Sequence, residues 1–252
     1  MPLFDDTMDE KTIPGNSNFQ YSGTRPDNLE EDNYTLVTVA VDFSYSTFDF
    51  AKFLRAMLIA CIDACKKNPR NRNIMLRVIS FNEDVSEIHG FKPLNLISSD
   101  DYDEFEPNGC TALYDAVFSA VGATLDYSKT LYENEVDSIN AICFIITDGL
   151  NNRGVTTPKM IKDKIQKALK SEELSSLTTV LIQLKDPSNL DPEVERLLKQ
   201  FREDADISAF IDVNDVTPEV LAKLGRIISK SISSVSQSLQ TGATVSQQSL
   251  SI

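Results

Sequence analysis

The chain has 252 residues, of which 41% are hydrophobic and 25% charged, and such a composition is typical of a soluble globular protein with a sizeable core. Its formal net charge of −14 argues against duplex nucleic acid or an anionic membrane as a partner. No apolar run is long enough to span a bilayer, and the first residues lack a secretory signal, so we expect a cytoplasmic protein. The four cysteines contain no C-x-x-C pair, which favours reduced thiols over a zinc site.

The first 33 residues predict an acidic, loop-rich extension, because turn-forming residues cluster at 14–18 and 25–28. Four large apolar residues interrupt this polar stretch, and they can fasten it either to the main domain or to another chain: Phe4, Ile13, Phe19 and Tyr21.

From residue 34 onward, apolar runs and helical periodicity alternate. Strands are predicted at 35–42, 74–81, 85–91, 139–147, 177–184 and 207–213, and helices at 49–67, after Thr111, from Thr157 to about 170, from Asp191 and from Thr217. This order predicts an α/β domain over 34–230, with a doubly wound, mostly parallel six-stranded sheet and helices on both faces. The segment 85–91 is expected to be an antiparallel edge strand, and His89 within it to be exposed or partly buried.

The last segment, 231–252, carries no charged residue and is rich in Ser and Gln. Apolar residues keep helical spacing from just before this segment into its first part: Ile228, Ile232, Val235 and Leu239. Two interpretations stay open, namely an amphipathic arm that serves docking or self-assembly, and a fraying tail.

Three polar segments are expected at one edge of this sheet. Asp42, Ser44 and Ser46 follow the first strand, Thr111 precedes a helix, and Asp148 follows the central strand. Loops after neighbouring parallel strands meet at one edge, and two carboxylates there repel each other unless a cation lies between them. Hydroxyl and carboxylate oxygens suit Mg²⁺, Mn²⁺ or Ca²⁺. The alternative for the first segment is that its Asp and Ser residues cap the next helix.

The three segments resemble the metal-ion-dependent adhesion site of von Willebrand factor A-type (vWA) domains. The D-x-S-x-S pattern occurs at 42–46, a G-x-T-x-L-x-D-A-like stretch at 109–116, and T-D-G at 147–149. The resemblance covers about residues 34–230 and implies a Rossmann-like fold. It further implies that Ser44 and Ser46 bind Mg²⁺ directly, Thr111 directly or through water, and Asp42 and Asp148 largely through water.

In such a site one coordination position stays open for an acidic residue of a partner. Tyr45 stands where the family often has Gly, which places a bulky ring at the rim. The resemblance therefore implies a protein–protein interaction module rather than an enzyme, acting with an ATPase or another subunit of an intracellular complex.

Two other functions are alternatives. A self-assembling scaffold would use the terminal extensions 1–33 and 231–252. A phosphoryl-transfer enzyme would use Asp42 as nucleophile and needs a second Asp two residues on, where this chain has Ser44. Asp115 lies in the first turn of a predicted helix, and we expect its carboxylate to interact favourably with the helix dipole rather than to bind a metal. We expect Asn151 and Asn152 to make hydrogen bonds within their turn or to touch a ligand.

Overall fold

The computed structural model describes residues 7–15, 18–102, 106–185 and 191–241. Within these ranges lie eight strands: β1 Met8–Thr12, β2 Gln20–Thr24, β3 Asn33–Asp42, β4 Ile74–Phe81, β5 Val85–Pro93, β6 Ser138–Thr147, β7 Ser176–Leu184 and β8 Ala209–Val213. Five α-helices accompany them in the same ranges: α1 Ala51–Lys66, α2 Leu113–Tyr132, α3 Pro158–Leu169, α4 Pro192–Asp204 and α5 Pro218–Thr241. No helix of this described part is both long and apolar enough to cross a bilayer.

The strands form one sheet in the order β1-β2-β5-β4-β3-β6-β7-β8. Strands β4, β3, β6, β7 and β8 run parallel to one another, whereas β5 is antiparallel to β4. Beyond β5, β2 is parallel to β5 and β1 is antiparallel to β2. The mostly parallel α/β sheet is confirmed. The predicted number of six strands is wrong, because β1 and β2 add to the sheet beyond β5. Strand β5 is therefore antiparallel as expected but does not form the edge.

Helices cover both faces of the sheet, as the sequence predicts. On one face α2, α3 and α4 pack against the strands through residues such as Val117, Ile161 and Leu198. On the other face α1 and α5 do so through Leu54 and Ile228. The central strands β3 and β6 are buried on both sides, which explains their nearly continuous apolar sequences.

The described residues before position 34 contribute to this core. The side chains of Ile13, Phe19 and Tyr21 are buried in the cluster that also contains α2, and the Tyr21 hydroxyl donates to Asp126 Oδ2 at 2.8 Å. These residues therefore fasten the segment to its own domain, whereas Phe4 lies outside the described residues. The expectation of a loop-rich segment overlooked the two strands, which flank a turn at Pro14 and Gly15.

The last helix continues well past residue 235, and its first part is not a free arm. Ile232 and Val235 are buried against α1 and the sheet. The side chain of Asn68 donates to Ser233 Oγ at 2.8 Å, and that of Asn140 donates to the Val235 carbonyl at 3.1 Å. The described start of segment 231–252 thus covers the core, while residues 242–252 and the Leu239 side chain lie outside the described part.

His89 is fully buried in β5, so the expectation of an exposed or partly buried ring is wrong. Its Nδ1 lies 2.9 Å from the Gly90 carbonyl and its Nε2 lies 2.7 Å from the Tyr102 hydroxyl. A neutral ring satisfies both contacts, with Nδ1–H donating and Nε2 accepting. Burial lowers the pKa of His89 to about 4.

Candidate metal site

Asp42 ends β3 beside the end of β6, because the two strands run parallel with Val41 paired to Ile146. Its Oδ2 accepts a hydrogen bond from the Thr147 hydroxyl at 2.6 Å, and its Oδ1 accepts one from the Ser44 amide at 2.8 Å. The carboxyl is fully buried. Burial raises the pKa of Asp42, and the hydrogen bonds from Thr147 and Ser44 partly oppose that rise.

Two serines and the second aspartate are joined side chain to side chain. Ser44 Oγ lies 3.1 Å from Ser46 Oγ, and Ser46 Oγ donates to Asp148 Oδ1 at 2.9 Å. Ser44 precedes the 3₁₀ turn Tyr45–Phe50 but makes no side-chain capping bond to it. The capping alternative is therefore wrong for Ser44, whose hydroxyl faces the other polar side chains. Asp42, Ser44, Ser46 and Asp148 thus lie together at the carboxyl ends of β3 and β6.

Thr111 is positioned through its backbone, just before α2. Its amide donates to Asn152 Oδ1 at 2.7 Å, and the Asn152 amide donates back to the Thr111 carbonyl at 3.0 Å. On the other side, the Tyr45 amide donates to the Gly109 carbonyl at 3.3 Å. The loop that carries Thr111 is therefore hydrogen-bonded to both of the other loops, and the Thr111 side chain is buried.

Gly109 allows this loop to turn. Its φ of +73° lies in the left-handed region, where L side chains are strained. A Cβ atom there would also lie 2.7 Å from Oε1 of Glu83. The glycine at this position of the motif therefore has a local structural cause.

Asp115 holds the loop that follows the T-D-G segment. Its Oδ1 accepts from the Thr156 amide at 2.8 Å, and both carboxylate oxygens lie 3.2 Å from the Val155 amide. The loop reaches this carboxylate through Gly154, where φ is +107°. Asp115 thus has a structural role, as expected. Its contacts to a distant loop were missed, and the Gly at 154 was the sequence signal that could have suggested them.

Asn151 and Asn152 make hydrogen bonds, but not within their own turn. Asn151 Oδ1 accepts from the Tyr114 amide at 2.9 Å in the first turn of α2, and Asn152 bonds to Thr111 as described above. The two asparagines therefore connect the loop after β6 to the start of α2. Sequence reasoning identified them but not their partners.

The donor set fits a hard divalent cation. The five predicted residues offer two carboxylates and three hydroxyls, all oxygen donors. Burial of the Asp42 carboxyl without a cationic side chain bonded to it is unfavourable and favours a positive ion nearby. Among the described residues no group of three or more His, Cys, Asp or Glu side chains could hold a metal.

No protein-family model matches the chain, and no curated protein sequence does. Several solved structures share its fold. They include the PilB minor pilin from Streptococcus sanguinis, with a TM-score of 0.58 and 13% identity over 88% of this chain. The pilus adhesin SpaC from Lactobacillus rhamnosus GG in an open conformation has a TM-score of 0.53 and 11% identity over 85% of this chain.

A third similar structure is proximal thread matrix protein 1 from the mussel byssus, with a TM-score of 0.51 and 16% identity over 80% of this chain. This chain spans 66%, 31% and 46% of the pilin, the adhesin and the byssus protein, respectively. At these identities the likeness shows the α/β fold alone.

Proposed function

We propose that this chain is a divalent-cation-dependent protein–protein interaction module rather than an enzyme. In this proposal Mg²⁺, replaceable by Mn²⁺ or Ca²⁺, is held by five residues and recruits an Asp or Glu of a protein partner. The residues are Asp42, Ser44, Ser46, Thr111 and Asp148. The observation that carries the proposal is the side-chain contact from Ser44 through Ser46 to Asp148, since Ser46 and Asp148 are 102 positions apart in sequence.

The charges of the five residues suit such a role. Asp42 is buried with both carboxylate oxygens hydrogen-bonded, while Ser46 is exposed and Asp148 half-buried. The Ser46 hydroxyl therefore lies nearer to solvent than the Asp42 carboxylate, while Ser44 and Thr111 are buried. A cation bound mainly by neutral oxygens supplies an electrophilic position for a partner's carboxylate.

The burial of Asp42 also supports a non-enzymatic role. A nucleophilic carboxylate must bond directly to its substrate, whereas a residue that holds a cation through water need not. The Asp42 side chain is buried and both its oxygens accept hydrogen bonds. The residue two positions on is Ser44, which cannot replace the second carboxylate of a phosphoryl-transfer site. Self-association, a cytoplasmic location and an ATPase or other complex subunit as partner remain predictions from the sequence.

Calorimetry with Mg²⁺ and Mn²⁺ tests the proposal on the wild type and on Ser46→Ala. Ser46 is exposed, so its loss should leave the fold intact, which circular dichroism checks. We expect the binding heat to disappear in Ser46→Ala and to persist in Asp49→Asn, which removes an exposed carboxylate from the same 3₁₀ turn. Equal heats in the wild type and Ser46→Ala would reject the proposal.

A pull-down with and without a divalent chelator then tests the partner. We expect chelation, or Ser46→Ala, to release the same set of bound proteins. Proteins that stay bound under both conditions would not be ligands of this site.

A further inference from the structure

Two aromatic rings are exposed beside the candidate metal site. Tyr45 is 74% exposed and Phe48 is 64% exposed, and both belong to the 3₁₀ turn that contains Ser46. Large aromatic side chains are mostly buried in this chain, as in other globular proteins. Two such rings on one short turn are therefore a local concentration of accessible apolar surface.

The turn that carries these rings is anchored at other positions. Thr47 is buried and its hydroxyl donates to the Ser44 carbonyl at 2.9 Å, while Phe50 is buried in the core. The Tyr45 amide is held by the Gly109 carbonyl. Tyr45 and Phe48 thus project from a fixed backbone, and little backbone ordering would be needed when a ligand covers them.

The charge of the chain limits which acidic ligands suit the site. The net charge of the chain is −14. Two exposed carboxylates lie near the candidate site: Asp49 belongs to the 3₁₀ turn that contains Ser46, and Glu83 lies beside Gly109. A ligand rich in acids would be repelled as it approaches. A single carboxylate between uncharged neighbours avoids that repulsion, and apolar neighbours gain contact with the two rings.

We infer that Tyr45 and Phe48 form an apolar rim that selects a large apolar side chain next to the partner's Asp or Glu. The ligand is thus a protein segment in which one acidic residue is flanked by residues such as leucine, with few other acids. This inference rests on the proposed function, because the carboxylate is the group that the metal site would bind.

Three capped five-residue peptides test the inference by NMR titration of the isotopically labelled chain in saturating Mg²⁺. The first has aspartate between glycines, the second has aspartate between leucines, and the third has asparagine between leucines. We expect the leucine-flanked aspartate peptide to bind about tenfold more tightly than the glycine-flanked one, which corresponds to ~1.4 kcal/mol. Chelation of Mg²⁺ should abolish the binding of both aspartate peptides.

The double variant Tyr45→Ser with Phe48→Ser should lose the preference for leucine and retain the affinity for the glycine-flanked peptide and for Mg²⁺. Its matched control is Tyr132→Ser with Leu169→Ser, which removes two exposed apolar side chains from α2 and α3. The control variant should keep the preference unchanged.

The possible failures are distinguishable. The inferred role of Tyr45 and Phe48 would be wrong if both aspartate peptides bound with equal affinity in a Mg²⁺-dependent way. It would also be wrong if the preference for leucine survived in the Tyr45 and Phe48 double variant. Neither result would contradict the metal site. If neither aspartate peptide bound in a Mg²⁺-dependent way, or if the asparagine peptide bound equally well, the proposed function itself would be wrong.

Discussion

Arg77 Nε donates to Glu87 Oε2 at 2.6 Å, and the Arg77 side chain is only 1% exposed. The ion pair joins β4 to β5. The other oxygen of Glu87 accepts from the Ser22 amide at 2.9 Å and from the Ser22 hydroxyl at 2.5 Å, so the contact extends to β2. One carboxylate therefore connects three neighbouring strands and fastens the N-terminal segment to the sheet.

Glu87→Gln should destabilise the fold by about 3–5 kcal/mol, because it leaves the buried guanidinium of Arg77 without a counter-charge. Urea unfolding measures this loss. The matched control is Glu133→Gln, whose pair with Lys129 at 3.6 Å is more than half exposed and should cost less than about 0.5 kcal/mol. Equal costs for the two variants would contradict a structural role of the buried pair.

Gly90→Ala should loosen the contact between β5 and β2, because the new Cβ would collide with the backbone carbonyl of Ser22. We expect lower stability, together with faster amide hydrogen exchange in β1 and β2 than in β3. Gly149→Ala is the control, since a Cβ there meets no atom within 4 Å. If amide hydrogens in both alanine variants exchanged at the wild-type rates, the close approach of β5 and β2 would not contribute to stability.

The strands that were predicted correctly from the sequence are those whose own residues are mostly apolar. Strands β3 and β6 are nearly continuous apolar runs, so their place at the centre of a parallel sheet follows from hydrophobicity alone. Four of the five candidate residues were predicted from the same pattern, because they lie at or just after the ends of these strands, whereas Thr111 precedes α2.

Strands β1 and β2 were missed for a physical reason. The five residues of β1 include Asp9, Glu10 and Lys11, so their composition does not indicate a strand. Their pairing depends on contacts made elsewhere in the chain, such as that between Ser22 and Glu87. The buried state of His89 likewise depends on Tyr102, and on β2 covering β5, and no local pattern around residue 89 encodes either.

The burial of His89 makes stability depend on pH in a defined window. The unfolded chain takes up a proton at this ring near pH 6.5, whereas burial lowers the pKa of the folded chain's ring to about 4. The free energy of unfolding should therefore fall as the pH drops from 6.5 towards 4, by roughly 3 kcal/mol for this group, and the effect should level off below that.

Urea unfolding of the wild type and of His89→Gln between pH 6.5 and 4 isolates the contribution of His89 to the free energy of unfolding. The variant should lack the part of the pH dependence that this ring causes. His89 is the only histidine, so its ring signal is also identified at once in an NMR titration. A ring that titrates near pH 6.5 in the folded chain would contradict the buried, neutral state.

Asn152→Ala tests how the candidate metal site is held together. The side chain and amide of Asn152 bond to the amide and carbonyl of Thr111, so alanine removes one of two hydrogen bonds that fix the backbone of that residue. The Thr111 hydroxyl itself remains. Since groups that orient metal ligands contribute about 10- to 100-fold to affinity, we expect Mg²⁺ binding to weaken by about tenfold in calorimetry.

Asn152→Asp retains an acceptor oxygen for the Thr111 amide and should keep most of the affinity. Asn134→Ala removes an exposed amide that bonds at the far end of α2, and it should change nothing at the site. The same variants separate positioning from direct contact with a partner. If Asn152 contacted the partner instead, Asn152→Ala would leave the heat of Mg²⁺ binding unchanged and weaken only the binding of the aspartate peptides. Because both hydrogen bonds of Asn152 point to Thr111, we expect the loss to appear already with Mg²⁺ alone.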